Sequence, residues 1–141
     1  MPLSLADFTT FAAANPLGVV STSDPGRGPE AALVSFAVTQ DGSVLFNARL
    51  DSRKIANIER DGRVALVVGC AGTVSVQVEG VATLPAAPER SGWSEEFARH
   101  FPRSRAFDPE FTVVKVRPHW LRVYDASTRP ATVTEGVVDW S

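Results

Sequence analysis

The sequence predicts a mainly β domain (α+β) whose strands curl into a closed or nearly closed barrel, with short helices at its ends. Seven short segments rich in β-branched and aromatic residues lie between Gly, Pro and Asp turn clusters. Only three stretches carry a helical period. About seven short strands in 141 residues would leave unpaired edges if they lay flat, and curling conceals them.

The first helix is read from Leu5, Phe8, Phe11 and Ala12, with Ser4 as its N-cap and Asn15-Pro16 as its stop. A strand over 17–22 follows, then the turn cluster SDPGRGP and a strand over 30–39. Asp41-Gly42 predicts a tight hairpin whose positive φ angles return the chain along 43–48. At Asp51 the period changes. Asp51 is the expected cap, Ile55 and Ile58 lie three apart, and Gly62 ends a helix of about ten residues.

Residues 63–68 form a nearly continuous apolar run. Residues 73–79 alternate, with Val74, Val76 and Val78 on one face and Ser75, Gln77 and Glu79 on the other. Gly80 is expected to shift this alternation as a bulge would, putting Val81 out of phase. Trp93, Phe97 and Phe101 then recur every four residues, the stripe of a helix over 88–101. Two last strands, 111–117 and 119–125, are expected on either side of Pro118, and the tail ends in Val137, Val138 and Trp140. No repeat, low-complexity tract or linker divides the chain, so residues 1–141 are read as one domain, with an N-terminal helix in 1–15 and a tail over 126–141.

Composition narrows the function. Fourteen Lys and Arg against sixteen Asp and Glu leave a net charge of -2, so no domain-wide positive field favours nucleic acid. The longest apolar run, 64–71, is far short of the ~20 residues that span a bilayer, and the N-terminus lacks a basic start and carries Asp7. A cytoplasmic protein with no membrane partner is expected. Cys70 alone makes no internal disulfide and no zinc pattern. The exposed valine row and apolar tail suggest burial against a second copy, hence a homodimer.

No Walker loop, GxGxxG, HExxH, CxxC or GxSxG occurs, and His100 and His119 lack partners at ligand spacing, so no catalytic side chain and no metal site is assigned. One segment stands out, FNARLDSRK over 46–54, where a strand ends and a helix begins. Arg49, Arg53 and Lys54 fall there with Ser52, at a helix start whose free N–H groups favour a phosphate. Asp51, if it caps that helix, would compete for the same donors.

The order and wording of residues 17–69, with SRK at 52–54 followed by Ile-Ala-Asn-Ile, Arg-Val-Ala-Leu at 63–66 and Val-Glu-Gly at 78–80, resembles the pyridoxamine 5'-phosphate oxidase-like family of FMN-binding split β-barrels. The resemblance covers roughly 15–125 and implies a homodimer with FMN at the subunit interface. It implies that Val34, Ser35 and Phe36 run along the flavin ring, that Asn47 and Ala48 touch the ring or ribityl chain, and that Arg53 and Lys54 grip the phosphate beside Arg49 and Ser52. Ser75 and Gln77 match residues reaching the cofactor from the other subunit, and Tyr124 falls where the family has a tryptophan near the flavin.

Two departures mark a small diverged member. Ala32 and Ala37 stand where the vitamin-forming oxidases have an arginine and a lysine, and no histidine follows Arg122. Oxidation of pyridoxamine phosphate is therefore not expected. The leading expectation is an FMN-binding oxidoreductase passing electrons or hydride to an unknown small-molecule substrate, with Trp120, Tyr124 and Trp140 either bordering the ring or serving core and interface packing. The alternatives are a deazaflavin-dependent reductase on the same fold and a non-enzymatic flavin- or haem-binding module.

Overall fold

A computed structural model describes residues 3–140; Met1, Pro2 and Ser141, included in the single-domain reading, lie outside the described residues. The elements in order are α1 (Leu5–Ala14), β1 (Leu17–Asp24), β2 (Gly28–Ser35), β3 (Ala37–Val38), β4 (Val44–Arg49), α2 (Arg53–Arg60), β5 (Arg63–Val68), β6 (Val74–Thr83), a 3-10 turn (Ala87–Glu89), α3 (Arg90–His100), β7 (Phe111–Asp125) and β8 (Thr132–Val137). The strands form one antiparallel sheet in the order β2-β1-β5-β6-β7-β4-β3, and β8 pairs with the far half of β7.

That order explains the curl. The two ends of the sheet, β2 and β3, are consecutive pieces of one extended segment, interrupted only at Phe36. Phe36 donates its N–H to the Pro16 carbonyl at 2.7 Å, and its ring enters the core edge-on to Phe46 at 6.2 Å. The segment expected as a single strand over 30–39 therefore bends once and serves both margins, giving the split barrel that the resemblance implied. Inward-facing Val20, Leu66, Val76, Val78, Val114 and Leu121 fill the interior, and Phe8 of α1 and Ile55 of α2 join them at the ends.

Several local expectations need correction. Only Gly42 of the Asp41-Gly42 pair has a positive φ, +88°. Gly42 N–H bonds to the Thr39 carbonyl and Thr39 N–H to the Ser43 carbonyl, a three-residue connection in which Asp41 instead fastens Thr39 and Ser43 through its carboxylate. A Cβ on Gly42 would also collide with the Trp140 ring, which stacks on Phe8 and donates its indole N–H to the Leu3 carbonyl.

The bulge is real but belongs to the other strand. Glu79 faces Trp120 and Gly80 faces Pro118, so the extra residue is His119 on β7, and β6 keeps its alternation through Ala82. Pro118, expected to divide two strands, lies inside one strand of 15 residues beside that irregularity, where a missing ladder donor costs least. The tail, left without structure by the sequence, supplies the edge strand β8.

Helix α3 lies outside the barrel. Phe97 is buried with Leu45, Ala37, Val113 and Ala106, flanked by Trp93 and Phe101, so the expected aromatic stripe makes a second small core over β4 and β7. This core leaves a cleft beside it.

Candidate functional site

Strand β4 turns Ala48 inward and Asn47 and Arg49 outward, toward the flank where α3 ends. The chain then makes one turn and starts α2, bringing Ser52 and Lys54 to the same side. Across from them, β2 presents Leu33, Val34 and Ser35, and the loop after α3 closes the far wall with Phe101, Arg103, Ser104 and Arg105. Together they enclose a cavity of about 770 Å³, within the range of small-molecule sites.

The cavity is lined by apolar Phe97, Phe101, Phe111 and Leu33 mixed with the cations Arg49, Lys54, Arg103 and Arg105. Among the described residues no carboxylate lines it. Two buried oxygens inside it, Asn47 Oδ1 and Ser104 Oγ, have no hydrogen-bond partner. Unpaired buried polar atoms are costly, about 1–3 kcal/mol each, and these two are open to a polar ligand in the cavity. A flavin fits these features: its ring edge carries N–H and C=O groups, its faces are apolar, and its phosphate needs cations.

The cations differ in how free they are. Arg49 is bound to Asp51 at 3.0 Å and lies 3.6 Å from Glu110. Arg105 bonds to Asp108 at 2.7 Å, and both guanidinium groups stack on the Phe111 ring, at 4.5 Å for Arg105 and 5.7 Å for Arg49. Lys54 and Arg103 have no ion-pair partner among the described residues. Asp51 does not cap α2: its carboxylate accepts from Arg49, which holds it below the usual carboxylate range. Ser52 is the N-cap, but its hydroxyl donates to the Arg49 carbonyl, leaving the first-turn N–H groups without a side-chain acceptor. The competition expected from Asp51 is absent.

Arg53 points elsewhere. Its Nη1 lies 2.8 Å from Glu30 Oε2, and Glu30 also accepts from Arg27 at 2.9 Å and from the buried Asn57 at 2.8 Å. Those bonds, Arg27 foremost and Asn57 next, pull the Glu30 carboxyl down to about 2. Of the residues named from the sequence, the cavity thus gathers Val34, Ser35, Asn47, Ala48, Arg49, Ser52 and Lys54. Phe36 is in the core, and Arg53 lines a smaller adjoining cavity of about 200 Å³ with Glu30, Ala32 and Lys54. Ser75, Gln77 and Tyr124 lie on the outer face of β6 and β7, away from this chain's own cleft.

Sequence reasoning missed the wall contributed by the loop after α3. Its signal was there: the run Pro-Arg-Ser-Arg directly follows the aromatic stripe, so two cations and a hydroxyl are carried in by the helix that Phe97 anchors. Cys70 is exposed, and the described residues hold no group of three or more His, Cys, Asp or Glu positioned for a metal. No helix among them is long and apolar enough to cross a membrane.

The fold is a split β-barrel with a partly cationic cleft on its flank. The chain belongs to the pyridoxamine 5'-phosphate oxidase family, whose profile matches residues 6–125. No curated protein matches it. Solved structures share the fold at low identity. General Stress Protein 26 from Bacillus anthracis is 23% identical with a TM-score of 0.69, over 84% of this chain and 92% of that one. A pyridoxamine 5'-phosphate oxidase-related, FMN-binding protein from Nostoc punctiforme is 15% identical, TM-score 0.65, over 91% and 88%. A heme-binding protein from Mycobacterium smegmatis is 17% identical, TM-score 0.71, over 97% of this chain but only 59% of that one.

Proposed function

We propose that this chain binds FMN in the cleft between β2, β4, α2 and the loop after α3, and acts as a flavin-dependent oxidoreductase on a small molecule. The single observation that carries this reading is the pair of unpartnered buried oxygens, Asn47 Oδ1 and Ser104 Oγ, in a cavity lined by aromatic side chains and by Lys54 and Arg103, cations unpaired among the described residues. Lys54 and Ser52, with the open N–H groups at the start of α2, would hold the phosphate. Asn47 would accept from the ring edge, and Phe97, Phe101 and Phe111 would keep water from its face.

When bound, the flavin supplies the electron or hydride chemistry, which is why no acid–base pair is required of the chain. What the side chains do is bind, orient and dry the site. Membership in the family and the FMN-binding Nostoc structure support the choice of cofactor.

A homodimer completes the proposal. The uncovered sheet face carries Leu17, Leu33, Tyr124 and Val137, the last 73% exposed, beside Val19, Val67 and Trp120. Leu33 and Ser35 also border the cleft, so a second copy laid on this face would bring its Ser75, Gln77 and Tyr124 toward the first copy's cavity. A free apolar surface of this extent favours association.

One observation favours haem as a second reading. His100 lines the cavity, and its Nδ1 donates to the Glu96 carbonyl at 3.1 Å, leaving Nε2 available to an iron. Spectroscopy of the purified protein separates the readings: a flavin spectrum with heat-released FMN supports the first, a haem spectrum lost in His100→Ala the second. A colourless protein stabilised only by added deazaflavin would assign that coenzyme instead.

A further inference from the structure

We propose that Glu30 is a specificity-determining residue for the charge on the cofactor's tail. The inference rests on the flavin reading above and concerns only how the phosphate end is recognised. Glu30 is a partly buried anion fixed by three side chains from two elements: Arg27 in the β1–β2 turn gives it two hydrogen bonds at 2.9 and 3.1 Å, and on α2 Arg53 gives one at 2.8 Å and Asn57 one at 2.8 Å. Asn57 is wholly buried, bonds to Thr22 at 2.9 Å, and accepts from Arg60. The carboxylate is therefore not free to swing away.

Its position matters because Glu30, Arg53 and Lys54 line one small cavity with Thr22 and Ala32. Lys54 is the residue shared between that cavity and the large one. A tail running from the large cavity along the start of α2 meets Lys54 with the Glu30 carboxylate behind it. A phosphate dianion that engages the N–H groups Arg53 has left must do so with the Glu30 carboxylate, 2.8 Å from Nη1, as a like-charged neighbour. Asp24, paired with Arg27 and Arg60, adds a second negative charge to the same cluster. Lys54 is left as the principal cation for the tail, so the site separates a dianionic tail from an uncharged one less sharply than a free Arg–Lys pair would.

The test is a titration of the full chain with FMN and with riboflavin, which share the ring and differ in the phosphate. The wild type, Glu30→Gln, Arg53→Met and Lys54→Met are compared at low salt. Removing the Glu30 charge is expected to raise the preference for FMN over riboflavin about ten-fold or more, with riboflavin affinity nearly unchanged. Arg53→Met is expected to alter the preference by less than about three-fold, the level of a weak exposed ion pair, whereas Lys54→Met collapses it.

A preference unchanged or reduced in Glu30→Gln overturns the proposal, as does an Arg53→Met loss equal to that of Lys54→Met. If Glu30→Gln does not fold, the Arg53 and Lys54 comparison decides alone. Flavin binding with an unaltered ratio refutes this inference only, while failure of the wild type to bind either flavin refutes the functional reading and this inference with it.

Discussion

Arg53 Nη1 lies 2.8 Å from Glu30 Oε2, so one of the two adjacent cations at the start of α2 is already paired with a carboxylate of its own chain. Its neighbour Lys54 has no such partner among the described residues, and it faces the large cavity. Two side chains that look equivalent in the run Ser-Arg-Lys thus have different surroundings.

Lys54→Ala is expected to weaken FMN binding by ~1.5–3 kcal/mol, the usual worth of a charge-assisted hydrogen bond. The double variant Arg53→Ala/Lys54→Ala should fail to retain FMN while remaining folded. Equilibrium dialysis with circular dichroism checks both; full affinity in the double variant would misplace the phosphate end.

Asn47→Ala removes a buried oxygen that has no partner in the free protein. Stability without ligand should be unchanged or slightly higher, whereas the thermal shift on adding FMN should shrink by the equivalent of ~1 kcal/mol. Differential scanning fluorimetry with and without FMN reads both quantities.

The Glu30 carboxyl is lowered in the folded state from 4.5 to about 2 by Arg27, Asn57 and Arg53. A depressed carboxyl contributes stability that is fully present above the unfolded value and is lost as pH falls through the folded one. Urea midpoints should therefore decline between pH 4.5 and about 2, and the Asp61 carboxyl, lowered to about 2 by Arg63, adds to the same decline. Glu30→Gln should flatten the slope in that window.

Asp placed at Leu17 or Val67, on the uncovered face, should convert a dimer to a monomer in size-exclusion chromatography with light scattering. Gln77→Ala should leave the dimer intact yet weaken FMN binding, since Gln77 faces away from its own chain's cleft. A monomeric wild type that binds FMN normally would contradict the shared site.

How much of this was legible in the sequence depends on how local each cause is. Ser4, which caps α1 by accepting from Asp7 N–H, and the strict alternation of Val74, Val76 and Val78 are short-range facts, and the chain declares them. The break at Phe36 is not local: it arises because one segment must close both margins of a curled sheet. Alternation at Gly80 shows that two strands lose register there, not that β7 carries the extra residue, His119.

The site divides the same way. Asn47, Arg49, Ser52 and Lys54 are neighbours in sequence and could be read as a group. Arg53 shares their sequence position but not their environment, because Glu30 on β2, 23 residues earlier, pairs with it. Arg103 and Ser104 reach the cleft only because Phe97 docks α3 on Leu45, a tertiary contact that no short pattern encodes.

The central claim is that this cavity holds a flavin ring with its phosphate at Lys54. The most direct test is the visible absorption spectrum of freshly purified protein, before and after equilibration with FMN, followed by mass spectrometry of what heat releases. A perturbed flavin spectrum, with FMN recovered from the wild type and not from Lys54→Ala, is the result expected. A protein that leaves FMN free in solution, its spectrum unshifted at saturating concentration, would contradict it.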